Sequence, residues 1–301
     1  MDGNTMVLLE SYGARLARQG LAASTRRKYL AAVDRFLRSL DRGNPESVTR
    51  QQVDDYLDRW HAAEQPAPAS VRLHLSALKS FYGYLDDRNL LEGRNPVERI
   101  TAPRVRRRPN HRLRADEAEA LLAACLSEQE KVLIWLLRWT GLRVGETLGL
   151  TVEDVDLERR VIRVRASKTD AGLRTVPIVD ELGVVLLTWI EGLRTRADWR
   201  PDMPLLATRG GTPWKEQFAW RLVKRVAHRA ELRVTGPGPL QSAVTPHTLR
   251  RTYASDLINR GVPLEHVSKM LGHADVRVTQ QAYAELEDAT AHAAIRRAFA
   301  S

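Results

Sequence analysis

The chain has 301 residues, of which 43% are hydrophobic and 28% charged, a composition that excludes a disordered protein and allows two domains. No run of about 18 apolar residues occurs, which excludes a membrane span, and a lone cysteine excludes an internal disulfide and a thiolate-based zinc site. Lys and Arg total 47 against 37 Asp and Glu, and the resulting net charge of +10 favours a polyanionic partner such as nucleic acid.

The first hundred residues predict short helices and no strand. The segment STRRKYLAAVDRFLRSL predicts a helix with Ser24 as its N-cap, and TRQQVDDYLDRWHAA predicts a second. A third is predicted from Val71 to about Leu85, because apolar residues recur at helical spacing in each segment. We therefore expect a small helical domain over residues 1–99.

Cations at the start of the first of these helices are candidate DNA contacts. They follow Thr25 directly and are Arg26, Arg27 and Lys28. A row of this kind either meets a phosphate backbone or forms a solvated face, and the sequence leaves both alternatives open.

A basic, proline-interrupted stretch then predicts a linker at 100–113. Its arginines include Arg104, Arg106, Arg107 and Arg108. An extended basic linker can lie along a duplex and neutralise phosphates, which makes binding weaken with salt. A solvated tether is the alternative.

Residues 114–301 predict a second, mainly helical domain with one β-hairpin. VIRVRASKTDAGLRTVPI breaks the helical pattern, because β-branched residues flank the turn-forming TDAG. The apolar runs on either side predict helices, and Cys125 within EALLAACL is expected to be a small core residue. The fold class predicted is mainly α with a small β-sheet.

Four stretches of this domain carry cations and hydrogen-bond donors: TGLRVGETLGL, the hairpin tip, PHTLRR and LGHADVRVTQQAY. In chain order the residues are Arg143, Glu146, Lys168, His247, Arg250, His273 and Tyr283. The set contains no carboxylate pair and no metal-ligand group, so neither metal nor cofactor is expected. It suits the stabilisation of a phosphate whose oxygens gain charge as a nucleophile adds.

Each residue also has an ordinary structural explanation. Arg143 and Glu146 could form a helix-surface pair, Lys168 could be a solvated turn residue, and His273 could follow a helix that ends at Gly272. The joint order of the motifs is what favours a shared site.

That order resembles the tyrosine recombinase (phage integrase) family over about residues 10–290, with a layout similar to Xer-like recombinases and compact integrases. The resemblance implies a helical, SAM-like DNA-binding domain followed by an α+β catalytic domain. It also implies site-specific recombination of double-stranded DNA by a homo-tetramer on synapsed sites, with or without a second recombinase. A prokaryotic, cytoplasmic and nucleoid-associated protein would follow.

The family's chemistry assigns roles to the motif residues. By resemblance, Tyr283 attacks the scissile phosphate to give a 3′-phosphotyrosine, without metal or ATP, and Lys168 protonates the leaving 5′ oxygen. Glu146 supports its neighbours.

The same resemblance assigns the remaining cations and imidazoles to the phosphate itself. Arg143 and Arg250 hold its non-bridging oxygens. His247 and His273 hydrogen-bond it and position or deprotonate the nucleophile.

The assignment of Tyr283 rests partly on elimination. The only other tyrosine beyond residue 100 is Tyr253, which lies in an apolar helical stripe and is expected to be core. Tyr283 follows His273 by one residue more than is usual in the family, and one residue turns a helical side chain by about 100°. We therefore expect a loop around 275–278 to absorb the difference.

Three alternatives remain open from sequence. The tail after Tyr283 either docks on a neighbouring protomer or folds back on its own domain. A type IB topoisomerase-like enzyme would share the phosphotyrosine chemistry, and a DNA-binding accessory protein would have lost it.

Overall fold

The computed structural model describes residues 3–40, 44–103, 112–165, 173–233, 240, 242–273, 275–277 and 279–280. By its internal contacts the chain divides into two units, Met1–Arg107 and Arg108–Ser301. Each unit buries a hydrophobic core of its own. No helix among the described residues is both long enough and apolar enough to cross a membrane.

The described part of the first unit is built from helices. They are α1 (Gly3–Arg18), α2 (Ala23–Ser39), α3 (Arg50–Glu64) and α4 (Pro68–Asp86). The prediction of Ser24 as an N-cap is wrong: the chain turns at Gly20 (φ 73°), and the helix resumes at once with Ala22 as its N-cap. Helix α1 was not predicted, although Leu8 and Tyr12 lie one turn apart and are buried.

Aromatic residues fill the core of this unit. The rings of Tyr12 and Phe81 meet edge to face with centroids 5.3 Å apart, and those of Phe36 and Tyr56 meet similarly at 5.0 Å. Large aromatic side chains thus join α1 to α4 and α2 to α3.

The second unit combines helices with one antiparallel sheet. Its helices are α5 (Ala115–Ala123), α6 (Glu128–Thr140), α7 (Val144–Leu148), α8 (Asp180–Arg194), α9 (Glu216–Arg229), α10 (Pro246–Asn259) and α11 (Leu264–Leu271). The strands, in spatial order, are β1 (Val155–Asp156), β2 (Val161–Val164) and β3 (Arg174–Pro177). The predicted hairpin is confirmed as β2–β3, and so is the fold class, whereas the two-residue β1 is too short to predict from a pattern.

Helix α6 is the centre of the second unit and contacts α8, α9 and α10. Its fully buried hydrophobic side chains are Val132, Leu133, Ile134, Leu136 and Leu137. Cys125 and Tyr253 are buried as predicted.

Gly141 ends α6 in a conformation that only glycine adopts easily. Its φ is 62°, and a Cβ there would lie 2.3 Å from Cδ1 of Tyr253 on α10. This tight contact also affects the position of Arg143, because Arg143 follows Gly141 by only two residues.

We predict that Gly141→Ala lowers the free energy of unfolding of the second unit by at least about 2 kcal/mol, because strained backbone and overpacking add. Urea unfolding followed by tryptophan fluorescence measures this, since six of the seven tryptophans lie beyond residue 107. The control is Gly183→Ala inside α8, where a Cβ meets only Ile178 at 3.6 Å. Equal stability of the two variants would contradict the prediction.

Candidate active site

Arg143 is the N-cap of the short helix α7, and Glu146 within that helix accepts two hydrogen bonds from it. The Arg143 backbone N–H donates to Glu146 Oε2 at 2.8 Å, and Arg143 Nη1 donates to Oε1 at 2.7 Å. The Glu146 side chain is 5% exposed, whereas that of Arg143 is 38% exposed. Glu146 therefore holds Arg143 from the buried side, while the Arg143 side chain stays partly exposed.

Helix α10 supplies two further predicted residues from its first two turns. Thr245 caps the helix and Pro246 occupies its first position. Arg250 lies on the buried side and donates through Nη1 to the carbonyl oxygen of Gly141 at 2.6 Å. His247 keeps an exposed face and meets Trp220 edge to face, with ring centroids 5.7 Å apart.

The C-terminal end of α11 gathers three guanidinium groups. Its last carbonyl groups have no partner within the helix, and three successive ones accept hydrogen bonds from three different arginines. Met270 O accepts from Nε of Arg174 at 2.6 Å, Leu271 O from Nη2 of Arg250 at 2.5 Å, and Gly272 O from Nη2 of Arg143 at 2.9 Å. The helix dipole favours positive charge at this end.

His273 follows this helix end directly and joins the same network. Its Nε2 lies 3.1 Å from Nη2 of Arg250, and its Nδ1 lies 2.7 Å from Oγ1 of Thr279. A guanidinium can only donate, so Nε2 accepts and Nδ1 carries the hydrogen. Burial, reinforced by Arg250 and the neighbouring arginines, lowers the pKa of His273 to about 4.

Two other groups titrate below their ordinary range. Partial burial and the charges of Arg250 and Arg251 lower the pKa of His247. Burial alone would raise the pKa of Glu146, but hydrogen bonds from Arg174 and Arg143 hold it below its usual value. At neutral pH the site therefore contains neutral imidazoles and an ionised carboxylate.

The structure thus brings four predicted residues into one group joined by hydrogen bonds and ion pairs: Arg143, Glu146, Arg250 and His273. His247 faces the same charges. Lys168 and Tyr283 lie outside the described residues. No group of His, Cys, Asp or Glu suited to a metal ion occurs in the part of the chain that is described.

Two further predictions concern the chain on either side of His273. The helix that was expected to end before His273 does so at Gly272, whose φ is 64°. The loop expected around 275–278 is wrong in part: of its described residues, Asp275 is not helical, whereas Val276 and Arg277 are.

The cations predicted to contact DNA are only partly described. Arg26 is half-buried and Arg27 and Lys28 are exposed in the first turns of α2. Arg104, Arg106, Arg107 and Arg108 lie outside the described residues.

Arg174 is the site residue that sequence reasoning missed. Its side chain is 3% exposed and pairs with Glu146, with Nη2 3.0 Å from Oε2. The available signal was its position two residues before Val176, on the inward face of a predicted strand. We call Arg143, Arg174, Arg250 and Glu146 together the guanidinium cluster.

Two family models match most of the chain. A model of the phage integrase family matches residues 111–290, and a model of the phage integrase N-terminal SAM-like domain matches residues 8–92. Tyrosine recombinase XerD of Pseudomonas aeruginosa is 31% identical over 276 residues, covering 87% of this chain and 87% of the relative.

Solved structures share the fold. The Tn1549 transposon integrase, in complex with transposon right end DNA, has a TM-score of 0.72 at 20% identity and covers 97% of this chain and 99% of its own. A lambda integrase tetramer bound to a Holliday junction has a TM-score of 0.70 at 21% identity, with coverage of 90% and 77%.

The chain therefore belongs to the phage integrase family, as a tyrosine site-specific recombinase of the Xer-like kind. The topoisomerase-like and inactive alternatives are not favoured by these matches.

The lowered pKa of His273 predicts an acid-sensitive stability. The unfolded residue titrates near 6.5 and the folded one at about 4, so the unfolded chain binds more protons between these values. Acidification from pH 7 to 5 should therefore remove about 1 kcal/mol of unfolding free energy through this ring, allowing for its partial exposure.

Urea unfolding of His273→Gln at both pH values checks this, because the variant should lose that share of the pH dependence. His266→Gln, an exposed residue on α11, is the matched control. The same pH dependence in His273→Gln as in wild type would contradict the assignment.

Proposed function

We propose that this recombinase cleaves DNA at a phosphate held by Arg143 and Arg250. The phenol oxygen of Tyr283 attacks the phosphorus, the P–O5′ bond breaks, and a 3′-phosphotyrosine and a 5′-hydroxyl result. The phosphotyrosine retains the bond energy, so rejoining needs no ATP. The observation that carries the proposal is the convergence of both guanidiniums and His273 at the end of α11.

The arrangement suits a phosphorane-like transition state. Two of the five side-chain N–H groups of Arg143 are engaged by Glu146 and Gly272 O, and the side chain is partly exposed, so its other N–H groups can donate to a phosphate. Donors fixed before the reaction cost no reorganisation as charge develops, and each contributes about 10²–10³ in rate.

The neutral imidazoles suit proton transfer. Nε2 of His273 accepts a hydrogen bond from Arg250. A phosphate oxygen that takes over this donor leaves Nε2 able to accept the Tyr283 phenol proton. His247 donates to the phosphate, and Lys168 delivers a proton to the departing 5′ oxygen.

The rest of the chain serves to hold DNA and other protomers. We assign duplex binding to the helical domain over 1–99 and the basic linker at 100–113, with the catalytic domain over 114–301. The net charge of +10 supports this. The DNA complex and the Holliday-junction tetramer of the two integrase neighbours support a tetramer on two synapsed sites, with the C-terminal tail docking between protomers.

Such a protein acts in the cytoplasm, on the nucleoid of a prokaryotic cell. A second recombinase can share the synapse with it.

Tyr283→Phe should abolish covalent attachment to DNA. A nicked suicide duplex carrying the target site, incubated in EDTA, should give an SDS-stable adduct with wild type and none with the variant. Tyr253→Phe is the control, because that tyrosine is buried and packs as a ring. An adduct formed by Tyr283→Phe would refute the proposed nucleophile.

Lys168→Ala should lose activity only when the leaving group needs a proton. We expect cleavage of an ordinary phosphodiester to slow by about 10²–10⁴-fold. A substrate with sulfur at the bridging 5′ position should restore most of the rate, because a thiolate leaves without protonation. Equal losses on both substrates in single-turnover assays would show that Lys168 is not the general acid.

A further inference from the structure

Arg174 occupies a position where the sheet is otherwise apolar. In the β2–β3 register it lies opposite Val164 and shares a face with Val176, both of which are buried. A permanently charged guanidinium on such a face is costly unless it is paired. Its surroundings therefore have to supply acceptors.

Those acceptors come from the two segments that carry Arg143 and His273. Nη2 and Nη1 of Arg174 donate to the two carboxylate oxygens of Glu146 at 3.0 and 3.3 Å, a bidentate pairing. Nε donates to Met270 O at the end of α11. One side chain thus links β3, α7 and α11.

The same side chain also supports the backbone just before His273. A Cβ at Gly272 would lie 2.7 Å from Nη1 of Arg174, so the guanidinium packs directly beneath this glycine. Gly272 O in turn accepts from Arg143. A displacement of Arg174 would therefore move Glu146, the end of α11 and the first residue after it.

We infer that Arg174 is a positioning residue that fixes Glu146 and the end of α11, so that Arg143, Arg250 and His273 face one phosphate. The inference rests on the proposed function of those three residues. Arg174 itself does not touch the DNA, because its side chain is 3% exposed beneath a partner, Arg143, that is 38% exposed.

Lysine could not perform the same task. Its single ammonium group is a point donor on a flexible stem, whereas the guanidinium fork spans a carboxylate and a carbonyl group at once. In Arg174→Lys the charge is kept but one of the two linkages is lost. Glu146 would then be less well bonded, and its burial would raise its pKa.

The experiment compares wild type, Arg174→Lys and Arg174→Met in single-turnover cleavage of the suicide duplex from pH 5 to 9, with Kd for the duplex and Tm measured alongside. We expect the cleavage rate constant to fall by about 10²-fold in Arg174→Met and less in Arg174→Lys, as for a small misplacement of reacting groups. Kd should stay within about twofold. The acid limb of the rate profile should move to higher pH, and the added change Glu146→Gln should remove that shift.

The matched control is Arg163→Met on β2, a partly exposed arginine paired with Asp156 on the other face of the sheet. It should leave rate and pH profile unchanged.

Three results would overturn the inference. They are an unaltered rate in both Arg174 variants, a lower rate with the wild-type pH profile, and a weaker Kd with a salt dependence reduced by one phosphate contact. If Arg174→Met does not fold, the charge-retaining Arg174→Lys decides. Failure of the proposed function is seen separately, as an adduct formed by Tyr283→Phe.

Discussion

The buried carboxylate of Glu146 allows the guanidinium cluster to exist. Two unit charges 4 Å apart interact by about 4 kcal/mol at the effective dielectric constant of a protein surface, so three arginines crowded together would repel strongly. Glu146 accepts from Arg143 and Arg174 and lies 4.0 Å from Arg250. The carbonyl groups at the end of α11 offset the remaining charge.

Burial and this balance of charge together set the protonation state of the imidazoles. Burial lowers the pKa of the His273 ring and the fixed cations beside it lower that pKa further, which is why His273 is neutral and its Nε2 accepts a hydrogen bond. A neutral ring at that position can receive a proton, whereas an imidazolium could only donate. In the proposed function, the same cations that suit a phosphate therefore help to prepare a base beside it.

The fold contributes by bringing together segments that are far apart in the chain. Helix α6 ends at Gly141, which has no side chain to clash with Tyr253 and whose positive φ turns the chain toward Arg143. The end of α11 lies against β3, so the sheet supports the helix terminus that the arginines cap. The rigid elements hold the donors, and this is what preorganisation requires.

The sequence by itself determined helices α2 to α4 and those of the second unit in outline, the β2–β3 hairpin, the burial of Cys125 and Tyr253, and the motifs that place Arg143, Glu146, Arg250 and His273 in one site, because periodicity, turn chemistry and short motifs are local properties. Only the tertiary structure decided that Ala22 rather than Ser24 caps α2, that Arg174 joins Glu146, and which nitrogen of His273 carries the hydrogen. The pairing of Arg174 and the tautomer of His273 depend on partners 28 and 23 residues away, and the N-cap of α2 depends on the turn at Gly20. A local sequence pattern does not indicate which distant carbonyl group or carboxylate a buried guanidinium will pair with.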